Sequence, residues 1–479
     1  MTSFDHLGLS AEVLKGIAEL GFETPSEIQS QAIPQLLLQD QDFIGLAQTG
    51  TGKTAAFGLP LLEHIDPQSP HTQALILAPT RELGQQIAEQ LSLFSKYLKR
   101  VHVLPVYGGA SITAQMAALK SPQQVIIATP GRLIDLIKRK AVRLERLRFL
   151  VLDEADEMLN MGFKEELDKI LSYTPETKRV WLFSATMPNE IRHIVKKYMK
   201  DPVEVRVNAK NEVNVNIEHQ YAIVKGSDKT EALVRFMDIA PDMRGVVFCR
   251  TKRETQSLAE ELLKREYKAD AIHGDLSQAQ RDRVMKRFKE QDLQVLIATD
   301  VAARGIDVND LSHVFHFSLP DDDSYYTHRS GRTARAGKSG ISVAFIGGGE
   351  KGRLDRLAKQ LGISFAQVMI PQANQIQERH IQRWAQRILE TPAKQKERDE
   401  ALLEQVHLLF GNLSKEELIA KLVANELNTL GTQTTSKDLN QKPTPGKKSS
   451  RPPFVEKSRS RRPPERKTFA KKKRRHWSN

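Results

Sequence analysis

The chain has 479 residues, 39% hydrophobic and 27% charged, with a net charge of +13; at about 150 residues per domain, that is enough for roughly three units with buried cores. Its single cysteine, Cys249, excludes an intrachain disulfide and fits a reducing compartment. No basic region followed by an apolar core opens the chain, and no apolar run nears the roughly 20 residues that span a bilayer, so a soluble cytoplasmic protein with no membrane partner is expected.

Apolar runs then alternate with helical stretches. The first series is Phe43–Leu46, Ala74–Ala78, Val101–Val106, Gln124–Ala128, Phe149–Leu152 and Val180–Phe183. The second is Gly245–Cys249, Val295–Ala298, His313–Phe317 and Ile341–Ile346. Near-continuous apolar strands separated by helices predict parallel sheets covered on both faces. Two series predict two tandem α/β domains, 1–208 and 220–371, joined by a polar linker at 209–219. After Pro371 the strand pattern stops. Leu402, Val406, Leu409 or Phe410, and Leu413 keep a helical spacing, and Ser414-Lys-Glu-Glu417 is a capping box ahead of Leu418, Leu422 and Val423. A small helical region, 372–430, is expected. From 431 the chain is rich in Thr, Ser, Pro, Lys and Arg, which predicts a disordered, basic, RNA-binding tail over 431–479. From Lys442 onward fifteen Lys and Arg face only Glu456 and Glu465, so the whole net charge sits there and the body is neutral.

Three clusters carry chemistry. Ala47-Gln48-Thr49-Gly50-Thr51-Gly52-Lys53-Thr54 follows a strand and opens a helix. Glycines let backbone N–H groups wrap a triphosphate, and the helix N-terminus adds positive potential. Lys53 then pairs with the outer phosphates and the Thr54 hydroxyl ligates Mg²⁺. Leu150-Val-Leu-Asp153-Glu154-Ala-Asp156 is an apolar strand ending in acids. Asp153 is placed to hold the metal through water, and Glu154 to orient or deprotonate the attacking water. His328-Arg329-Ser-Gly-Arg332-Thr-Ala-Arg335 offers Arg332 and Arg335 as planar forks for the γ-phosphate. The phosphate loop and the arginines lie in different domains, so the site is complete only when the domains close. No Cys/His spacing suggests a zinc site. Cys249, Phe57, Phe94 and Phe163 read as buried, and Asp321 to Asp323 as a solvated loop.

In this order the clusters resemble a DEAD-box RNA helicase, and the match runs from about Phe4 to Phe345. The resemblance implies two RecA-like domains, ATP and Mg²⁺ as ligands, and single-stranded RNA bound largely without regard to sequence. Gly21-Phe-Glu-Thr-Pro-Ser-Glu-Ile-Gln29 is similar to the family's adenine-reading motif, with Gln29 on the adenine edge and Phe22 on its face. Pro79-Thr80-Arg81, Gly108-Gly109 and Thr129-Pro130-Gly131-Arg132 match RNA-side motifs. So do Arg250-Thr251, Gln278 with Arg281, and Thr299-Asp300 in the second domain. Ser184-Ala185-Thr186 resembles the motif that links hydrolysis to strand opening; Arg304, His328 and Arg329 are implied in coupling, and Gly305 and Asp307 in nucleotide contact. Two positions depart from the pattern: Ser330 where an apolar residue is usual, and Ala334 where Gly is commoner. The expected activity is ATP-driven separation of short RNA duplexes; an ATP-dependent clamp or annealing chaperone is the alternative. The added helices and basic tail are similar to bacterial members of ribosome assembly and mRNA decay, and imply a homodimer through 372–430.

Overall fold

The computed structural model describes residues 3–38, 41–48, 50–207, 216–303, 311–334, 338–391, 397–430 and 437–440. The strands of the first domain are β1 (Phe43–Leu46), β2 (Ala74–Leu77), β3 (Val103–Val106), β4 (Val125–Ala128), β5 (Phe149–Leu152), β6 (Arg179–Ser184) and β7 (Val203–Arg206). They form one parallel sheet in the order β3-β4-β2-β5-β6-β1-β7. The second domain has β8 (Ile217–Ile223), β9 (Gly245–Cys249), β10 (Ala269–Ile272), β11 (Val295–Thr299), β12 (His313–His316), β13 (Gly340–Ile346) and β14 (Ala366–Gln367). Their order, β10-β11-β9-β12-β13-β8-β14, repeats the first sheet position for position.

The apolar runs explain the layering. Successive strand residues point to opposite faces. In β2, Ala74 and Ile76 join one core with Phe57 and Phe94, while Leu75 and Leu77 join the other with Leu133 and Met158. A strand buried on both sides must be apolar throughout, which is why it reads as a run rather than an alternation.

The two RecA-like units and the following helices agree with the fold class read from the sequence; two boundaries do not. β8 begins at Ile217, inside the segment assigned to the linker. Residues 437–440, assigned to the disordered tail, lie against the second domain. There Leu439 is buried beside Ile370. Asn440 accepts from Ile370 N at 2.7 Å and donates to Ile370 O at 3.1 Å. The rest of the tail, from 441, is outside the described residues. Ser414 and Glu417 do form the reciprocal cap of helix Lys415–Leu430.

Arg235, on helix Lys229–Ile239 and 1% exposed, organises this end of the domain. It pairs with Glu231 and donates to Pro371 O at 3.3 Å and Lys437 O at 2.8 Å. Removing one partner of a buried pair typically costs about 3–5 kcal/mol. Arg235→Ala should therefore destabilise the second domain by about 3 kcal/mol, seen as faster hydrogen exchange in β8–β13 with β1–β6 unchanged. Equal exchange in both domains would contradict this.

Candidate active site

Strand order decides which loops meet. β5, β6 and β1 are neighbours, so the loops after Leu152, Ser184 and Leu46 lie side by side at the C-terminal edge of the first sheet. That edge is where ligands sit in open parallel sheets. These three loops are the acid cluster, Ser184–Thr186 and the phosphate loop. β3, β4 and β2 form the other half, and their ends carry Gly108–Gly109, Thr129–Arg132 and Pro79–Arg81.

Helix Lys53–His64 starts at Gly52, which has φ +87° and no side-chain cap. A Cβ at Gly52 would lie 2.3 Å from Gln29 Nε2, so only glycine fits. Gln29 is buried; its Nε2 donates to Gly52 O at 3.1 Å and its Oε1 accepts from Ser26 N at 2.9 Å. Ser26 Oγ donates to Thr51 O at 2.7 Å, and Thr51 Oγ1 to Gln48 O at 2.8 Å. The turn that bears Gln29 thus braces the phosphate loop. Phe22 packs edge-on against Phe4 and Phe94. Lys53 is 6% exposed, and its Nζ has no hydrogen-bond partner among the described residues. A buried ammonium without an anion is costly, and a triphosphate in this loop would supply one.

Asp153 is buried, and its carboxyl is pushed up to about 7, chiefly by that burial, with Lys53 opposing and Glu154 adding to the rise. Glu154 sits at φ +48°, a left-handed conformation that costs a non-glycine residue energy and tends to mark functional turns. It heads helix Ala155–Asn160. Asp156 accepts from Thr186 N at 3.0 Å and Thr186 Oγ1 at 2.7 Å, while Ser184 Oγ donates to Thr186 O at 2.7 Å. The acid turn and Ser184-Ala185-Thr186 are therefore one bonded unit. A carboxylate and the Thr54 hydroxyl are hard oxygen donors of the kind Mg²⁺ takes.

The second domain faces this unit with helix Ser324–Ser330. His328 Nδ1 lies 2.7 Å from Oε1 of Glu157, whose side chain is 3% exposed. Arg329 holds both oxygens of Asp300, at 2.5 and 2.7 Å, donates to Ser318 O at 2.8 Å and covers the Phe248 ring. Asp300, expected on the RNA side, is thus held by Arg329. Arg332 lines a cleft with Glu154, Glu157, His328 and Arg329. Thr49, Arg304, Gly305, Asp307 and Arg335 lie outside the described residues.

On the other half, charges also cross between domains. Arg81 Nη2 is 2.8 Å from Asp282 Oδ2, and Arg281 Nη2 is 3.3 Å from Glu82 Oε1. Gln278 donates to the free oxygen of Asp282 at 3.0 Å. Gly109, at φ +84°, comes so near that a Cβ there would sit 3.5 Å from Gln278 Oε1. Arg132 donates to Ala110 O at 3.1 Å and to Gln115 Oε1 at 2.8 Å, bracing the Gly108–Gly109 loop. Thr129 leaves the N-terminus of helix Pro130–Lys138 without a side-chain cap, so the N–H groups of Gly131 and Arg132 are available to a phosphate. Thr80 and Thr251 cap their helices by accepting from Leu83 N and Glu254 N. Arg250 pairs with Asp321, and Thr299 is buried at the end of β11.

The DEAD/DEAH box helicase family matches residues 26–194, and the helicase conserved C-terminal domain matches 228–337. The chain is 49% identical over 359 residues to the DEAD-box ATP-dependent RNA helicase CshA of Geobacillus kaustophilus, covering 75% of this chain and 76% of that one. The chain belongs to the DEAD-box ATP-dependent RNA helicases. CshA of Bacillus subtilis is 48% identical over 352 residues, 74% of this chain and 71% of that one. Among solved structures, S. cerevisiae Dbp5 bound to RNA and ADP BeF3 matches with TM-score 0.71 at 33% identity, over 77% of this chain and 96% of that one. Mss116 bound to ssRNA and UDP-BeF gives 0.71 at 28% identity, over 79% and 83%. Residues 376–433 match a family described as a probable ATP-dependent RNA helicase helical domain.

The roles of Asp156, Glu157, Glu82 and Asp282 in this helicase escaped the sequence reading. Asp156 and Glu157 continue the acid run, and Glu82 follows Arg81 in an RNA-side motif; Asp282 carried no signal. The acid turn also predicts a pH effect. A carboxyl raised in the fold holds a proton that the unfolded chain has lost, so stability falls as pH rises from about 4 to about 7. Asp153→Asn removes that loss. Without nucleotide, the variant should be more stable than wild type at pH 8 by about 1–3 kcal/mol, with the difference shrinking toward pH 5. Thermal melts with the same difference at both pH values would contradict it.

Proposed function

We propose that ATP and single-stranded RNA together close the two domains, and that the closed RNA surface holds one strand in a form its partner cannot follow, so a short duplex opens locally. The observation that carries this is the pairing of the domains on both halves of the cleft: Glu157 with His328 beside the nucleotide loops, and Glu82 with Arg281 and Arg81 with Asp282 beside the RNA loops. Ligands on either half favour the same closed arrangement and therefore each other.

In this reading Lys53 neutralises the outer phosphates, the loop Gln48–Thr54 wraps them, and Gln29 reads the adenine edge. Thr54 and Asp153 would hold Mg²⁺, which would draw charge from the β- and γ-phosphates. Glu154 takes a proton from the attacking water, and Arg332 with Arg335 stabilise charge on the γ-phosphoryl group. Asp156 passes the change in the acid turn to Thr186. Asp300 acts by holding Arg329. RNA phosphates lie along Arg81, Gly109, the Gly131 and Arg132 N–H groups and Thr251. Such contacts position a strand without reading its bases, and ATP hydrolysis with phosphate release reopens the cleft. Glu154→Gln should lower RNA-stimulated turnover by at least about a hundredfold, the range of general-base loss, while ATP-dependent RNA binding persists. Turnover within a few-fold of wild type would overturn the assignment, and a gel assay of strand displacement against annealing separates unwinding from clamping.

The helical region is also proposed to pair two copies. Helix Ala373–Glu390 packs back on the second domain through Ile376 and an Arg383–Asp242 pair. Beyond it, Leu402, Val406, Leu409, Phe410, Ile419 and Leu422 are exposed, an apolar surface that a C₂ partner would cover. Light scattering should give a dimer for the full chain and a monomer when it ends at Pro371; a monomeric full chain would refute this.

A further inference from the structure

Helix Ser324–Ser330, which carries His328 and Arg329, is held to its sheet by a buried polar network as well as by ring contacts such as Tyr326 on Phe365. Tyr326 and Ser330, four residues apart, share the inward face. Tyr326 Oη lies 2.9 Å from His219 Nδ1 on β8 and 3.3 Å from Ser342 Oγ on β13. Ser330 Oγ lies 3.0 Å from Ser342 Oγ and 3.3 Å from His316 Nε2 on β12. His316 Nε2 closes the ring at 3.0 Å from Ser342 Oγ, and the His316 imidazole stacks on Tyr326 with centroids 4.4 Å apart. Tyr326, His316 and Ser342 are 0% exposed and Ser330 is 1% exposed. Burial holds His316 well below its ordinary range and His219 at about 4, so the network keeps one charge state at neutral pH.

We infer that Ser342, Ser330, Tyr326, His316 and His219 are positioning residues that set the rotation of this helix and so aim His328 and Arg332 at the first domain. His328 lies two residues from both Tyr326 and Ser330, about 200° around the helix, and therefore on the face turned toward Glu157. Apolar packing tolerates small slides, whereas hydrogen bonds weaken steeply with distance and angle. Here three elements meet at one hub, Ser342, and β8 joins through the His219–Tyr326 bond, so a turn of the helix would leave several buried groups unpaired together. Ser330, a departure from the family pattern, is accounted for: its hydroxyl is the helix's second bolt, matched by Ser342 and His316.

The test is RNA-stimulated ATP hydrolysis by full-length Ser342→Ala and Tyr326→Phe, each alone and with His328→Ala. A misplaced catalytic group can cost up to about a hundredfold; kcat should fall about tenfold or more, while the KM for ATP stays within about twofold because the phosphate loop is on the other domain. Both variants should remain folded at the assay temperature. In the His328→Ala background they should cost less than they do alone, because only the aim of Arg332 is then left to lose. The inference rests on the roles proposed for His328 and Arg332, and its failure is distinguishable from theirs. If His328→Ala alone is fully active, that reading falls. If His328→Ala is slow but Ser342→Ala and Tyr326→Phe are fully active, or if their losses multiply with His328→Ala, only the positioning network falls. A loss that merely tracks a lowered melting temperature also overturns it.

Discussion

Charges buried on one domain and completed from outside it are the constraint on which the rest of this structure depends. Lys53 holds an ammonium out of water with no hydrogen-bond partner among the described residues, and the buried acid Glu157 meets His328 of the other domain at 2.7 Å. An uncompensated charge in a low-dielectric site is expensive. Closure by the second domain, and an anionic ligand in the phosphate loop, both relieve that cost. The raised carboxyl of Asp153 belongs to the same pattern, since burial and the neighbouring Glu154 both disfavour its charge.

Topology makes the rest economical. In a parallel sheet every strand delivers its following loop to the same edge. The order β3-β4-β2-β5-β6-β1-β7 then sorts those loops, with the glycine-rich and acid loops after β1, β5 and β6 and the loops proposed to hold RNA after β3, β4 and β2. The second sheet repeats the order, so two similar edges face each other and can share a ligand on each half. Within the nucleotide half of the first domain, Asp156 ties the loop after β5 to the loop after β6 by holding Thr186 through two hydrogen bonds.

Much of this was legible in the sequence because its physics is local. A glycine-rich turn before a helix, an apolar strand ending in acids and a run of arginines each name a chemistry by residue type and spacing. The doubly buried strands were legible as apolar runs. β10, with the sequence Ala-Asp-Ala-Ile, and β7, Val-Glu-Val-Arg, were not: both are edge strands, one with only a single large apolar residue, the other with its alternate residues in solvent. β8 was taken partly for linker because Glu218 and Gln220 interrupt its apolar face. Pairings between residues about 200 apart in sequence, such as Arg81 with Asp282, leave no local trace. Neither did Arg235, whose burial is set by the return of residues 437–440. The Ser330 hydroxyl looked like a departure from pattern until Ser342 and His316 supplied its partners.

The account stands on charge pairing across the cleft as the link between nucleotide and RNA. The most direct measurement is the RNA affinity gained on adding a non-hydrolysable ATP analogue, taken for Glu82→Arg, Arg281→Glu and the two together. Allosteric coupling of this kind is commonly worth about 1–3 kcal/mol. Each single reversal should abolish most of the gain by setting like charges face to face, and the double reversal should restore much of it. If the singles keep the gain, or if the double is as impaired as the two losses combined, the cross-domain pairs are not what couples the sites.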